Sequence, residues 1–503
     1  MQTRDILPQG VSSASFARAL MELAQIVGPD YVVTDPERLL PYTQSMLPID
    51  ESEYLPSGVV MPSSVEHVQG VLGICNKYRV PLWPISTGRN FGYGSTLPAT
   101  RGQLILDLKR MDRILEIDPV LCTALVEPGV TYQQLHAQLT ERSLALWLDF
   151  PGTGPLAGPV GNTLERGGGN TPYGDHFAHT CGMEVVLADG RILRTGMGAV
   201  PNTASWQAFK YGYGPYLDGI FTQSNFAVVT KLGLWLMPAP AAHRTVMAQY
   251  WDERDLGRAV ETVRPLRLNG TIQNVGVLAS AALMLTAHHR RAELYQGEGA
   301  VPDRLIEGAA REQGIAPWNL IFTLYGTAEQ IAPNLEIARR AFEASGAKLV
   351  FDAHEGTQSN QLGLESFSLL NWVGGGGLSW FSPIAPARGT DVVKQRDLAK
   401  TLLARHGMDY LAAFTLDGRD LHHLVPLLFD RTAQPQVERA RQCFADLLAA
   451  FTDNGYGLYR VGIDNMSKLA RLYAPINRDV NRALKRTLDP NGILAPGKSG
   501  IHS

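Results

Sequence analysis

From Pro84 to Ser95 the chain reads Pro-Ile-Ser-Thr-Gly-Arg-Asn-Phe-Gly-Tyr-Gly-Ser. Gly88, Gly92 and Gly94, with the small hydroxyl side chains Ser86 and Thr87, let backbone N–H groups close on an anion because no Cβ blocks the approach. The chemistry this predicts is capture of a phosphate-bearing cofactor. A second glycine-rich tract runs from Pro151 to Gly174 and contains Pro159-Val160-Gly161-Asn162 and Glu165-Arg166-Gly167-Gly168-Gly169. A third, Gly492 to Ser499, satisfies the pattern GxxxxGK[ST]. That pattern holds a nucleoside triphosphate only where it opens a helix, and here Pro496 also removes a backbone donor. The match fails on context.

Other reactive types are sparse. Cys75, Cys122, Cys181 and Cys443 are scattered and form no CxxC, haem-attachment or metal-ligating pattern, so isolated thiols and no metal are expected. His288-His289 falls in a polar, helix-like stretch and reads as surface. His422-His423 is read on its own as a structural pair. No GxSxG and no HExxH occurs.

These residues need elements to hold them. A length of 503 residues exceeds one ordinary core, and 45% apolar with 18% charged residues describes a globular chain of two or three domains. A net charge of −3 argues against nucleic-acid or anionic-membrane binding. The start of the chain lacks an apolar signal region, and no run of about 18 apolar residues occurs. A cytoplasmic location is therefore the default, with transport to the periplasm alongside a partner left open.

Ser63-Ser64-Val65-Glu66 is a capping-box pattern, and the apolar spacing after it predicts a helix to Tyr78. A strand, the glycine loop and a second strand come next, then a helix over Tyr132 to Arg142. Strands are expected at Met183–Leu187 and Ile192–Thr195, with a strand pair around 227–230 and 232–236. Met237-Pro238-Ala239-Pro240 marks a boundary. Beyond it helices are expected at about 253–265, 335–345, 392–406 and 435–453. The expected domains are 1–238, 239–455 and a returning segment 456–503.

Thr87-Gly88-Arg89-Asn90-Phe91-Gly92-Tyr93-Gly94, Glu127-Pro128-Gly129-Val130-Thr131, Thr171-Pro172-Tyr173-Gly174-Asp175-His176 and Ala495-Pro496-Gly497-Lys498-Ser499-Gly500 occur in this order. With Tyr213-Gly214-Pro215, Phe221-Thr222-Gln223-Ser224-Asn225, His422-His423 and Tyr459-Arg460, they resemble the vanillyl-alcohol oxidase/p-cresol methylhydroxylase flavoproteins across nearly the whole chain. The resemblance implies an α+β fold in which a two-subdomain FAD-binding domain carries an α+β cap.

It also implies roles. Ser86, Thr87, Gly88, Arg89, Asn90, Gly92, Pro159, Gly161, Asn162 and Val229 would hold FAD, with Arg460 and Lys498 as cations beside the isoalloxazine. Tyr93, Tyr459 and Arg460 would form a clamp on the phenolate of a para-alkylphenol, whose benzylic carbon yields a hydride and leaves a quinone methide. His422 would serve as base for water addition, and Tyr173 would line the pocket. A homodimer is expected, and a small c-type cytochrome subunit is the partner the methylhydroxylase type implies, with oxygen as the alternative acceptor. An FAD-linked 2-hydroxy-acid dehydrogenase and a non-catalytic flavin-binding subunit are the competing readings. The phenolate clamp favours the first.

Two departures from the family pattern matter. Relatives that bond FAD covalently use a histidine or a tyrosine, and the corresponding positions here hold Leu378 and Leu370. Dissociable FAD is expected. Ser366 and Ala413 stand where the p-cresol enzyme type has glutamates, so a less charged pocket suited to bulkier, lignin-type methoxyphenols is expected.

Overall fold

The computed structural model of the chain describes residues 6–351 and 368–503; Ser366, with Glu365 beside it, lies outside the described residues. In one sheet Gly58–Val60, Leu104–Asp107 and Leu82–Ile85 run parallel, and Val32–Val33 adds antiparallel at the edge. Leu104–Asp107 is buried throughout, as befits a strand covered on both faces. The helix Val65–Tyr78 starts where its cap predicts, with the Ser64 side chain accepting from the His67 N–H.

The C-terminal segment locks onto this sheet. Leu82 N–H donates to the Ile493 carbonyl and Ala495 N–H to the Leu82 carbonyl, each at 2.7 Å. Lys485, fully buried, bonds the Asp489 carboxylate at 2.7 Å and the Asn225 and Leu494 carbonyls at 2.8 and 2.6 Å. Such a cation is tolerable only because its donors are all met. The result is that Lys498 is carried beside Trp83, its ammonium 5.7 Å from the ring centre.

A second, antiparallel sheet has the order Ile114–Asp118, Thr123–Val126, Ala227–Trp235, Thr180–Leu187, Ile192–Arg194. Where the sequence reads as two strands, Ala227–Trp235 is one strand of nine residues with register shifts near Lys231 and Leu234. Lys231 interrupts the apolar run without breaking the strand, because its ammonium pairs with the buried Glu184 at 3.0 Å.

The third sheet is antiparallel in the order Lys348–Phe351, Ala242–Tyr250, Trp318–Gly326, Gly276–Ser280, Ala413–Leu416, Asp420–Asp430, Gly376–Phe381, and Ile384–Pro386 also pairs with Asp420–Asp430. Helices Leu256–Leu268, Ala328–Ala344, Gly389–Arg405 and Gln434–Asp453 contribute to its core. The second of these begins well before the expected 335, because Thr327 and Gln330 cap one another's backbone and the helix runs on through Pro333. His288-His289 lies in the turn after the helix Ala281–Leu285, not in a helix.

Candidate active site

Residues of all three sheets line one cavity of about 870 Å³. Its first wall is the glycine loop. Gly88 has φ +73°, and a Cβ there would lie 2.6 Å from the Thr96 side chain. A Cβ on Gly158 would lie 2.5 Å from Ser86 Oγ, and one on Gly161 would lie 2.9 Å from Ser86 Cβ. The Ser86 side chain therefore lies directly against the backbone at the start of the short helix Pro159–Leu164, and Ser86 Oγ donates to the Pro128 carbonyl at 2.5 Å. Among the described residues no group accepts from the N–H groups of Thr87, Gly88 or Arg89, all three of which line the cavity. Orphan donors of this kind call for an anionic ligand, and a diphosphate fits them.

Asn162 is fixed from behind. Its Oδ1 lies 2.5 Å from His176 Nδ1, and His176 Nε2 lies 2.8 Å from the buried Asp149 carboxylate. Asn90, Gly161, Asn162, Val228 and Val229 join the lining. Gly92 and Pro159 stand just behind it: a Cβ on Gly92 would lie 2.5 Å from Trp380, and Pro159 opens the helix.

The second wall gathers the sequence-predicted clamp. Tyr93 Oη and Tyr459 Oη are 3.4 Å apart, and the Arg460 guanidinium carbon lies 4.1 Å over the Tyr93 ring centre. Arg460 donates to Asn90 Oδ1, which ties the clamp to the glycine loop. Arg460 Nε is 3.5 Å from Glu165, whose other oxygen pairs with Lys498. Burial, reinforced by Tyr459, pushes the Tyr93 phenol well above its ordinary value, so it stays a donor. Burial alone would raise the Glu165 carboxyl, but Lys498 and Arg460 carry it below the usual range.

The third wall belongs to the antiparallel sheet. Val277 pairs with Thr415, and Thr415 with His422, so the three stand in one row facing the cavity. The His422 ring lies 5.0 Å from that of Tyr459, and His422 Nε2 is 3.2 Å from the Asp420 carboxylate. The hydrogen bond from His422 draws the Asp420 carboxyl down. His423 points the other way, as strand alternation requires. It is fully buried, stacks on Phe414 at 4.2 Å and bonds Tyr410 Oη at 3.0 Å.

Two sequence expectations end elsewhere. Tyr173 does not line the cavity; its ring stacks on His179 at 4.2 Å, because Thr171 and Gly174 turn the chain so that Gly174 and Asp175 face inward instead. Ala413 is buried in the sheet rather than on the wall, which Thr415 and Leu424 occupy. Leu370 and Leu378 pack with Trp372 in an apolar cluster and are not on the lining. Conversely, Glu165, Trp380, Thr415 and Asp420 line the cavity without having been singled out. Only Glu165 carried a signal, a charged residue inside a glycine-rich tract.

Residues 56–196 match the FAD binding domain model and 239–499 the model for the C-terminal domain of FAD linked oxidases. The chain is 44% identical to the 4-cresol dehydrogenase [hydroxylating] flavoprotein subunit of Pseudomonas putida, over 99% of this chain and 98% of that one. A structure of p-cresol methylhydroxylase with substrate bound superposes with a TM-score of 0.97 at 44% identity, covering 99% of each chain. The 4-ethylphenol oxidase of Gulosibacter chungangensis, solved with isoeugenol, gives 0.95 at 34% identity, again covering 99% of each. With family models along most of its length and a relative 44% identical from end to end, the chain is an FAD-dependent oxidoreductase and belongs to the vanillyl-alcohol oxidase/p-cresol methylhydroxylase flavoproteins.

Proposed function

We propose that this enzyme oxidises para-alkylphenols at the benzylic carbon. The observation that carries the reading is the convergence of two phenolic hydroxyls, 3.4 Å apart, and the Arg460 guanidinium on one cavity wall. A phenol of pKa about 10 costs about 4 kcal/mol to ionise at pH 7. Charge-assisted bonds of about 1.5–3 kcal/mol each offset most of that.

FAD, when bound, supplies the acceptor for the hydride. The chain's residues do the rest. Tyr93, Tyr459 and Arg460 hold the substrate oxygen as an anion, which pushes electrons into the ring and lets hydride leave to give a quinone methide. His422, braced by Asp420, takes a proton from the water that adds to that carbon. Ser86–Asn90, Gly161, Asn162 and Val229 hold the cofactor, and Lys498 adds a second cation beside it.

The relatives' names, 4-cresol dehydrogenase and 4-ethylphenol oxidase, support the substrate class. Val275, Val277 and Thr415 make the wall next to His422 from small side chains, which supports substituents larger than methyl, methoxylated phenols included. Leu370 and Leu378 offer no nucleophile, which supports dissociable FAD. Likeness to a flavoprotein subunit supports a small c-type cytochrome as electron acceptor, and we propose that the flavoprotein itself is a homodimer.

The test is anaerobic titration with p-cresol, 4-ethylphenol and a methoxylated 4-alkylphenol, with lactate and glycolate alongside. Loss of flavin absorbance with the larger phenols is expected. Bleaching by p-cresol alone would remove the larger-substituent reading, and bleaching by the hydroxy acids alone would remove the phenol reading. Stopped-flow reoxidation by cytochrome c against air identifies the acceptor.

A further inference from the structure

Glu165 caps the end of the helix Pro159–Leu164 and lines the cavity beside the clamp. One carboxylate oxygen pairs with Lys498 and the other stands 3.5 Å from Arg460 Nε. The three side chains are only 19%, 11% and 11% exposed. Among the described residues no other carboxylate pairs with either cation.

We propose that Glu165 sets the positive charge that Arg460 and Lys498 present to the cavity, and so tunes both the ionisation of a bound phenol and the electron affinity of the bound flavin. The phenol half rests on the function proposed above; the flavin half does not. Two cations and one carboxylate leave a net charge of +1 where the cations alone would give +2. A carboxylate already on the guanidinium competes with a phenolate for it. The competition matters because charges act strongly in a site this dry. Without Glu165 the two cations would face each other unscreened and would hold a phenolate more tightly, product included. Glu165 is thus a charge-setting residue that acts through Arg460 and Lys498, and it takes no proton from substrate.

The test uses the FAD-loaded enzyme and its Glu165→Gln variant, with FAD retention and thermal midpoint recorded for both. The variant should bind 4-ethylphenol about tenfold more tightly, and the pH at which the bound phenol ionises should fall by about one unit. Sulfite, which adds to electron-poor flavins, should bind about tenfold more tightly as well. The non-ionisable 4-ethylanisole should bind both forms equally.

Unchanged or weaker binding of phenol and sulfite in a folded, FAD-retaining variant would overturn the proposal, as would equal gains for the phenol and its anisole. A wild-type enzyme that binds no phenol removes the substrate reading and leaves sulfite to decide Glu165. Should Glu165→Gln yield no holoenzyme, Glu165→Met removes the same charge. It must bind both ligands about tenfold more tightly than wild type, and unchanged or weaker binding sinks the idea.

Discussion

The hydroxyl oxygens of Tyr93 and Tyr459 approach to 3.4 Å although 366 positions separate them in the chain. Both backbones are pinned. Ile463 N–H donates to the Tyr93 carbonyl at 3.1 Å, and Gln223 Nε2 donates to the Tyr459 carbonyl at 2.9 Å. With Tyr93 only 7% exposed, its hydroxyl needs no ordering by the substrate. A pre-set pair of this kind spends little binding energy on its own organisation.

The first prediction concerns that pair. Tyr93→Phe and Tyr459→Phe should each slow flavin reduction by a 4-alkylphenol about 10- to 100-fold, the loss of one charge-assisted bond. The double variant should lose less than the product of the two if both hydroxyls serve one substrate oxygen, as proposed. Anaerobic stopped-flow of all three enzymes measures both effects, and strict multiplicativity would argue against a shared target.

Cofactor affinity should depend on the contact between Ser86 and Gly158. Gly158→Ala places a methyl 2.5 Å from Ser86 Oγ, whose hydroxyl is already committed to the Pro128 carbonyl. The loop must move, and we expect FAD to bind at least about tenfold more weakly. Gly308→Ala, a helix position with nothing within 4 Å, is the matched control and should leave FAD binding unchanged. Fluorescence titration of the apoprotein with FAD reads both.

Acid precipitation tests the mode of flavin attachment. The yellow colour should stay in the supernatant, because Leu370 and Leu378 present no histidine or tyrosine nucleophile. Colour in the pellet would show a bond formed elsewhere in the cavity.

Stability should respond to pH through two buried groups of opposite sign. Burial lowers the His423 imidazole to about 3, below its unfolded value, so folding loses stability as pH falls below about 6.5. Burial raises the Asp464 carboxyl to about 6, so the folded state binds its proton first and gains stability over the same range. Between pH 7 and pH 5 the two contribute about −2 and about +1 kcal/mol. Asp464→Asn should therefore steepen the acid loss measured by urea unfolding, and His423→Gln should reverse the slope.

Much of this molecule is legible one segment at a time. The Ser64 cap, the helix to Tyr78 and the glycine loop follow from local rules, since a cap or a tight turn involves neighbours a few residues apart. The strand Ala227–Trp235 reads as two from the sequence because the partner of Lys231, Glu184, lies on another strand. Tyr173 was misplaced for a related reason, as the turn through Thr171 and Gly174 decides which side chain faces inward.

By itself the sequence determined which chemistry was on offer: glycines that let backbone amides close on an anion, and phenols with a guanidinium as donors to another. The tertiary structure alone decided the electrostatics. Glu165 meets Lys498 across 333 positions and stands 3.5 Å from Arg460 Nε. Charge interactions depend on distance and burial rather than on order along the chain, and those are settled only when the sheets close around the cavity.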